Sequence, residues 1–256
     1  MKVKMETITP EIAKAYLALS TGNRSMKTAK VASYARDMAR GAWRENGETI
    51  IFGSNGDLLD GHHRLTACVK SQSDFCSLVV RGVSPDANKT IDMGASRTVG
   101  DALSFHGYRN ANNINAIVAA LVSLKNERPR SANLSADEVF RFISDFPEVE
   151  QAAIVSSRKH LPRSQAIIGA IWAVAKINGE EETANAFLEV LSYGIPSMPR
   201  CAAHALRERL MRDAISSKKL SLQDVHRLAV HAWEKFRIGE PVKHLKIPTD
   251  YAITGW

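Results

Sequence analysis

The chain has 256 residues, 45% of them hydrophobic and 24% charged, and carries a formal net charge of +7 with three cysteines. That length suits one large or two small domains with a hydrophobic core, and the composition excludes disordered and fibrous classes. No run approaches the roughly 18 apolar residues of a membrane span, and Met1–Glu6 lacks the apolar run of a secretory leader. Cys68, Cys76 and Cys201 are odd in number and show no C-x-x-C spacing, which argues against a zinc site or a disulfide framework and suits a reducing cytoplasm. The basic excess points mildly toward nucleic acid, because cationic surfaces gain affinity by releasing counterions from phosphates, although it is spread over both halves.

In chain order, Pro10 to Ser20 reads as a short helix opened by proline. The turn-rich stretch Thr21 to Ser25 follows, where Asn23 and Arg24 either reach a substrate or form an ordinary exposed loop. From Lys27 to Arg40 the residues Val31, Tyr34, Ala35 and Met38 recur at i, i+3, i+4 and i+7, the mark of an amphipathic helix, and Gly41 ends it. Trp43 is expected to pack as core. Ile50–Phe52 reads as a buried strand and Ser54–Asp57 as a hairpin turn leading into Leu58 and Leu59. A helix follows, and Phe75–Val83 reads as a longer strand. Thr90–Asp92 suggests a strand end, followed by Gly94, Arg97 and a helix over Val99–Phe105. Asp92 and Arg97 either face the central motif across one pocket, or pair with each other or cap that helix.

Beyond His106 and Gly107 the texture becomes helical. Helices are expected over 112–124, after the capping box Ser135–Glu138, over 164–178 as an apolar central helix, and around 180–192 and 199–214. Another begins after Ser221. Arg200, Arg207, Arg209 and Arg212 cluster on one helix, but Glu208 and Asp213 are interleaved, so a solvated face is expected there. His160, His204 and His244 stand isolated in sequence, and none is assigned to a metal.

The centre of the chain is Leu58-Leu59-Asp60-Gly61-His62-His63-Arg64-Leu65-Thr66-Ala67. A strand end, a glycine turn and a helix N-terminus carrying two histidines and an arginine make an anion site. First-turn N–H groups have no intrahelical acceptor, and the helix dipole favours negative charge there. Gly61 lets a phosphate approach the backbone, and Arg64 is expected to add a bidentate clamp. Asp60 would cap the turn, or hold a metal ion or a substrate hydroxyl.

This segment resembles the signature of the ParB/sulfiredoxin superfamily, whose ParB branch reads G-E-R-R and whose sulfiredoxin branch reads G-C-H-R. Asn23-Arg24, Tyr34–Met38 with Gly41–Trp43, and Ile91–Gly94 with Arg97-Thr98 are similar to further pieces of phage- and plasmid-type ParB-like proteins. The likeness covers roughly residues 8 to 105. Gly61 and Arg64 match both branches and His63 the sulfiredoxin branch. His62 stands where one branch has its reactive Cys and the other its Glu, which argues against sulfinic-acid reductase chemistry.

The resemblance implies an α+β protein: an N-terminal ParB/sulfiredoxin-like domain with a small sheet over 1–108, then an all-helical domain over 109–256 for DNA contact or oligomerisation. It implies a site in which Gly61, His63, Arg64, Asn23, Arg24, Asp92 and Arg97 hold the phosphates of a nucleotide triphosphate, ATP or CTP. Mg²⁺ would be held by Asp60 or Asp92. DNA is the expected macromolecular partner, with a homodimer possible. A second expectation is a hydrolase or phosphotransferase in the same pocket (a ParB-like nuclease, a nucleoside triphosphatase or a small-molecule kinase). Asp60, His62 or His63 would then act as base, with Arg64 and Arg97 stabilising developing charge. A scaffold that has lost its ligand is the third.

Overall fold

The computed structural model describes residues 1–21, 26–89, 91, 97–127, 133–157, 161 and 164–256. The fold is mixed α+β and separates into two compact units, Met1–Ser96 and Arg97–Trp256. No helix among the described residues is long and apolar enough to cross a membrane.

The first unit runs β1 (Lys2–Ile8), α1 (Pro10–Leu17), α2 (Thr28–Ala39), β2 (Thr49–Gly53), β3 (Leu58–Asp60), α3 (His62–Ser71) and β4 (Phe75–Val83). The four strands form one sheet in the order β1-β4-β2-β3. β4 pairs antiparallel with β1 and parallel with β2, while β2 and β3 form the antiparallel hairpin that Ser54–Asp57 implies. β1 was not anticipated. Its alternation of Lys2 and Lys4 with Val3 and Met5 is a strand pattern, but only Ile8 is buried, so it carries little apolar signal. The core of this unit gathers Ile8, Val31, Met38, Ile50, Phe52, Leu65 and Val79. The apolar face of α2 thus packs as its periodicity requires, and Trp43 sits against Tyr34 and Phe75 with ring centroids 5.1 and 5.8 Å apart. A polar tie joins β1, α1 and β4: the Arg81 guanidinium donates to Glu6 at 2.7 Å and to the Tyr16 hydroxyl at 2.7 Å. The Arg81 contact is the main reason the Glu6 carboxyl lies below its ordinary range.

In the second unit every described element is a helix: α4 (Val99–Phe105), α5 (Ala111–Lys125), α6 (Ala136–Asp145), α7 (Glu148–Ser156), α8 (Gln165–Ile177), α9 (Glu181–Tyr193), α10 (Ala202–Ile215) and α11 (Leu222–Arg237). α8 is buried continuously from Ile167 to Ala175 and packs against α5, α7, α9 and α11, so it is the central helix its composition implies. Gly169 allows the close approach: a Cβ there would fall 2.5 Å from Ile117 Cδ1 and 2.9 Å from Ser156 Oγ. The capping box at Ser135 and Glu138 forms as read. At α4 the cap is Thr98 with Asp101, rather than Arg97. α4 was expected in the first domain, but its Leu103 is fully buried in the core of the second unit. After α11 the chain returns without regular structure, burying Tyr251 and Ile253 and setting Trp256 Nε1 2.9 Å from the Leu121 carbonyl.

Candidate functional site

β3 delivers Asp60 to the edge of the sheet, and the chain turns into α3 through Gly61 at φ +109 and ψ −2. That conformation is close to glycine-only, and a Cβ at Gly61 would lie 3.1 Å from Ile50 Cγ1. The sharp reversal sets Gly61 against Ile50 of β2. Gly61 itself is the N-cap, and no side chain caps the helix. The reading of Asp60 as a helix cap is therefore replaced. Its carboxylate is engaged by Arg64 instead.

Arg64 is 5% exposed. Its Nη1 donates to Glu48 Oε2 at 2.8 Å, and its Nη2 donates to the Thr49 carbonyl at 2.7 Å and to Asp60 Oδ2 at 3.0 Å. The guanidinium fork expected to clamp a phosphate thus ties the start of α3 to the start of β2 and the end of β3. A buried guanidinium needs such partners, since burying an unpaired charge costs several kcal/mol. Arg64 still borders the cleft described next, with three of its five guanidinium N–H groups bonded to the protein.

That cleft, about 370 Å³ in volume, lies between α2 and the turn into α3. Lys30 and Tyr34 line it from α2, Glu48 and Ile51 from β2 and its approach, and Asp60, Gly61 and His63 from the motif. Lys30 is exposed, with its ammonium 5.4 Å from the centre of the Tyr34 ring. Neither Lys30 nor Tyr34 was named as a site residue from sequence, where Tyr34 served as a core position and as part of the Tyr34–Met38 resemblance. A lysine and an aromatic ring at i and i+4 on the rim of an amphipathic helix is the signal that would have found them.

The two histidines part company. His62 is not among the residues lining the cleft; its Nε2 lies 2.8 Å from Ser20 Oγ, on the α1 side. His63 does line the cleft, and its Nε2 accepts from the Lys27 N–H at 3.2 Å, which leaves Nδ1 to carry the ring proton. Of the other candidates, Asn23, Arg24 and Asp92 lie outside the described residues. Arg97 opens the second unit as an exposed residue just before the Thr98 cap. The structure therefore brings Asp60, Gly61, His63 and Arg64 together, and adds Lys30, Tyr34 and Glu48.

Among the described residues no group of three or more His, Cys, Asp or Glu side chains is arranged to hold a metal ion. Asp60 and Glu48 both serve Arg64, so a resident Mg²⁺ site does not fit them. Mg²⁺ commonly binds through one or two carboxylates together with substrate phosphates, which these two side chains do not supply by themselves. The phosphates themselves fit better: a helix start without a side-chain cap, next to an exposed lysine, is a place for an anion. No family model, no curated protein and no solved structure matches the chain.

Proposed function

We propose that the first unit binds the phosphates of a nucleotide triphosphate of the ATP or CTP class, and that the chain is a DNA-associated protein of ParB/sulfiredoxin-like type. The observation that carries this reading is the opening of α3, through a left-handed Gly61 and with no side-chain cap, into a cleft that also holds Lys30. In this reading the main-chain N–H groups of the first α3 turn take the phosphate oxygens, and Lys30 supplies the facing cation. Tyr34 offers a ring against which a base or sugar packs. Asp60 and Glu48 orient Arg64, and Arg64 holds the turn in place rather than gripping the ligand.

The experiment is a titration of the full chain with ATP and CTP in the presence of Mg²⁺, on wild type and Lys30→Ala. A hydrogen bond between charged groups is worth about 1.5–3 kcal/mol, and Lys30 is exposed, so a loss near the lower bound of about tenfold is expected. Absence of nucleotide binding at millimolar concentration, or equal affinity in the variant, would remove the reading. Nucleotide turnover by wild type that disappears in a folded Asp60→Asn variant would move the assignment to a hydrolase or phosphotransferase in the same cleft.

A further inference from the structure

The second unit carries a cleft of about 460 Å³ between α10, with the stretch leading into it, and the chain that follows α11. Arg200, Arg209 and Arg212 line one side and Lys243 the other, with His204 and His244 between them. Residues far apart in sequence, unremarkable singly, thus meet around one cavity. A backbone hydrogen bond fastens the two walls, with the Val242 N–H donating to the Arg200 carbonyl at 2.8 Å.

Of the two interleaved acids on which the solvated face was expected, Glu208 stays with the group and Asp213 does not, and one arginine leaves it. Arg207 turns away and donates to the Leu191 and Ser192 carbonyls, the latter at 3.2 Å, as a structural tie. Asp213 is 5% exposed, accepts from the Leu220 N–H at 2.6 Å and does not line the cleft. Among the described residues Glu208 is the one carboxylate lining the cleft, against the four cations Arg200, Arg209, Arg212 and Lys243. Arg200, Arg209 and Lys243 are exposed and have no carboxylate partner among the described residues. Like charges gathered around a concavity repel one another, and an anion entering it relieves that repulsion.

The remaining wall is apolar, formed by Met198, Pro199 and Leu245. Cations on a concave surface beside apolar and imidazole groups match a chain of phosphates carrying flat bases. A duplex presents its phosphates on a wide convex surface, whereas a flexible single strand can enter a cavity of this size. We propose that this cleft binds the phosphodiester backbone of single-stranded nucleic acid, with Arg200, Arg209, Arg212 and Lys243 on the phosphates. The inference gives the DNA association proposed above a place on the molecule. It rests on this cleft alone and not on the nucleotide site.

A second observation sharpens the test. Arg200 holds φ +58, a left-handed conformation that a non-glycine residue adopts at a cost. Arg200→Gly should therefore raise the melting temperature while weakening the strand, a pair of opposite effects that a purely structural arginine would not give.

The full chain should be titrated with a fluorescein-labelled dT12 oligonucleotide at several salt concentrations, as wild type, Arg209→Ala/Lys243→Ala, Arg209→Lys/Lys243→Arg and Arg200→Gly. Each phosphate contact on a single strand contributes roughly 0.7 to the slope of log K against log salt. The double alanine variant should lose about 1.4 of slope and roughly 25-fold in affinity at 0.1 M salt. The charge-conserving double variant should keep most of both. Wild-type affinity in the double alanine variant, an unchanged slope, a duplex that competes as well as the single strand, or displacement by free triphosphate at equal phosphate concentration would each overturn the proposal. Nucleotide binding that fails while the oligonucleotide still binds through this cleft would remove the N-terminal reading and leave this one standing.

Discussion

Arg64 is the residue whose meaning changes most between sequence and structure. In the string Asp60-Gly61-His62-His63-Arg64 the strand, turn and helix are legible, because β3 ends at Asp60 and α3 starts at His62 as the apolar pattern implies. The direction of the guanidinium was not legible. Two of its partners, Glu48 and the Thr49 carbonyl, come from just before and at the start of β2, 16 and 15 residues back, and no local periodicity reports a contact across that distance. Arg64→Ala should accordingly act first on stability. Removing one member of a buried charge pair costs about 3–5 kcal/mol, and the 58% exposure of the Glu48 side chain discounts this to roughly 2–4 kcal/mol. Glu48→Gln, at the exposed end, should cost less than about 1 kcal/mol. Urea denaturation of the three proteins checks both values. A full-stability Arg64→Ala variant that no longer binds nucleotide would return Arg64 to the role of phosphate clamp.

At the scale of elements, α11 and the chain that folds back over it form a pH-sensitive joint. His226 on α11 is 7% exposed and lies 3.4 Å, through Nδ1, from the Tyr251 hydroxyl. Burial pushes the imidazole down to about 4 from the 6.5 of an exposed histidine. Because the folded value lies below the unfolded one for a base, the unfolded chain binds the proton first as the pH falls. Stability should therefore be full above about pH 6.5, decline between 6.5 and 4, and level off below. The decline attributable to His226 is about 3 kcal/mol at most. Melting curves of wild type and His226→Gln across that window should converge as the pH falls; parallel curves would assign the acid sensitivity elsewhere. The caps at Ser135 and Ser221 were readable because they are local signals. The pairing of His226 with Tyr251 was not, since Tyr251 lies in a stretch without periodicity.

For the whole molecule, composition and the change of texture along the chain conveyed an α+β protein with a sheet confined to its first part and helices after it. The division falls between Ser96 and Arg97 because Leu103 belongs to the helical core, a fact about packing partners that the apolar pattern of α4 does not reveal. β4 has a consequence in time. It is the last strand of the sheet in sequence, yet it pairs on both sides, with Ile8 opposite Phe75 and Thr49 opposite Leu78. The β2–β3 hairpin closes over a four-residue turn and is available early, whereas every other pairing waits for β4 and the closure of a long loop, which is entropically slow. Gly61 and the α3 start thus ride on the fast piece, and the sheet that backs them is completed late. Val79, fully buried at the middle of β4, should report this step. Val79→Ala should slow refolding in stopped-flow chevrons, whereas Val3→Ala in the exposed edge strand should mainly hasten unfolding. Equal partitioning of the two variants between the folding and unfolding limbs would mean that the sheet assembles in one concerted event, with no strand acting as its gatekeeper.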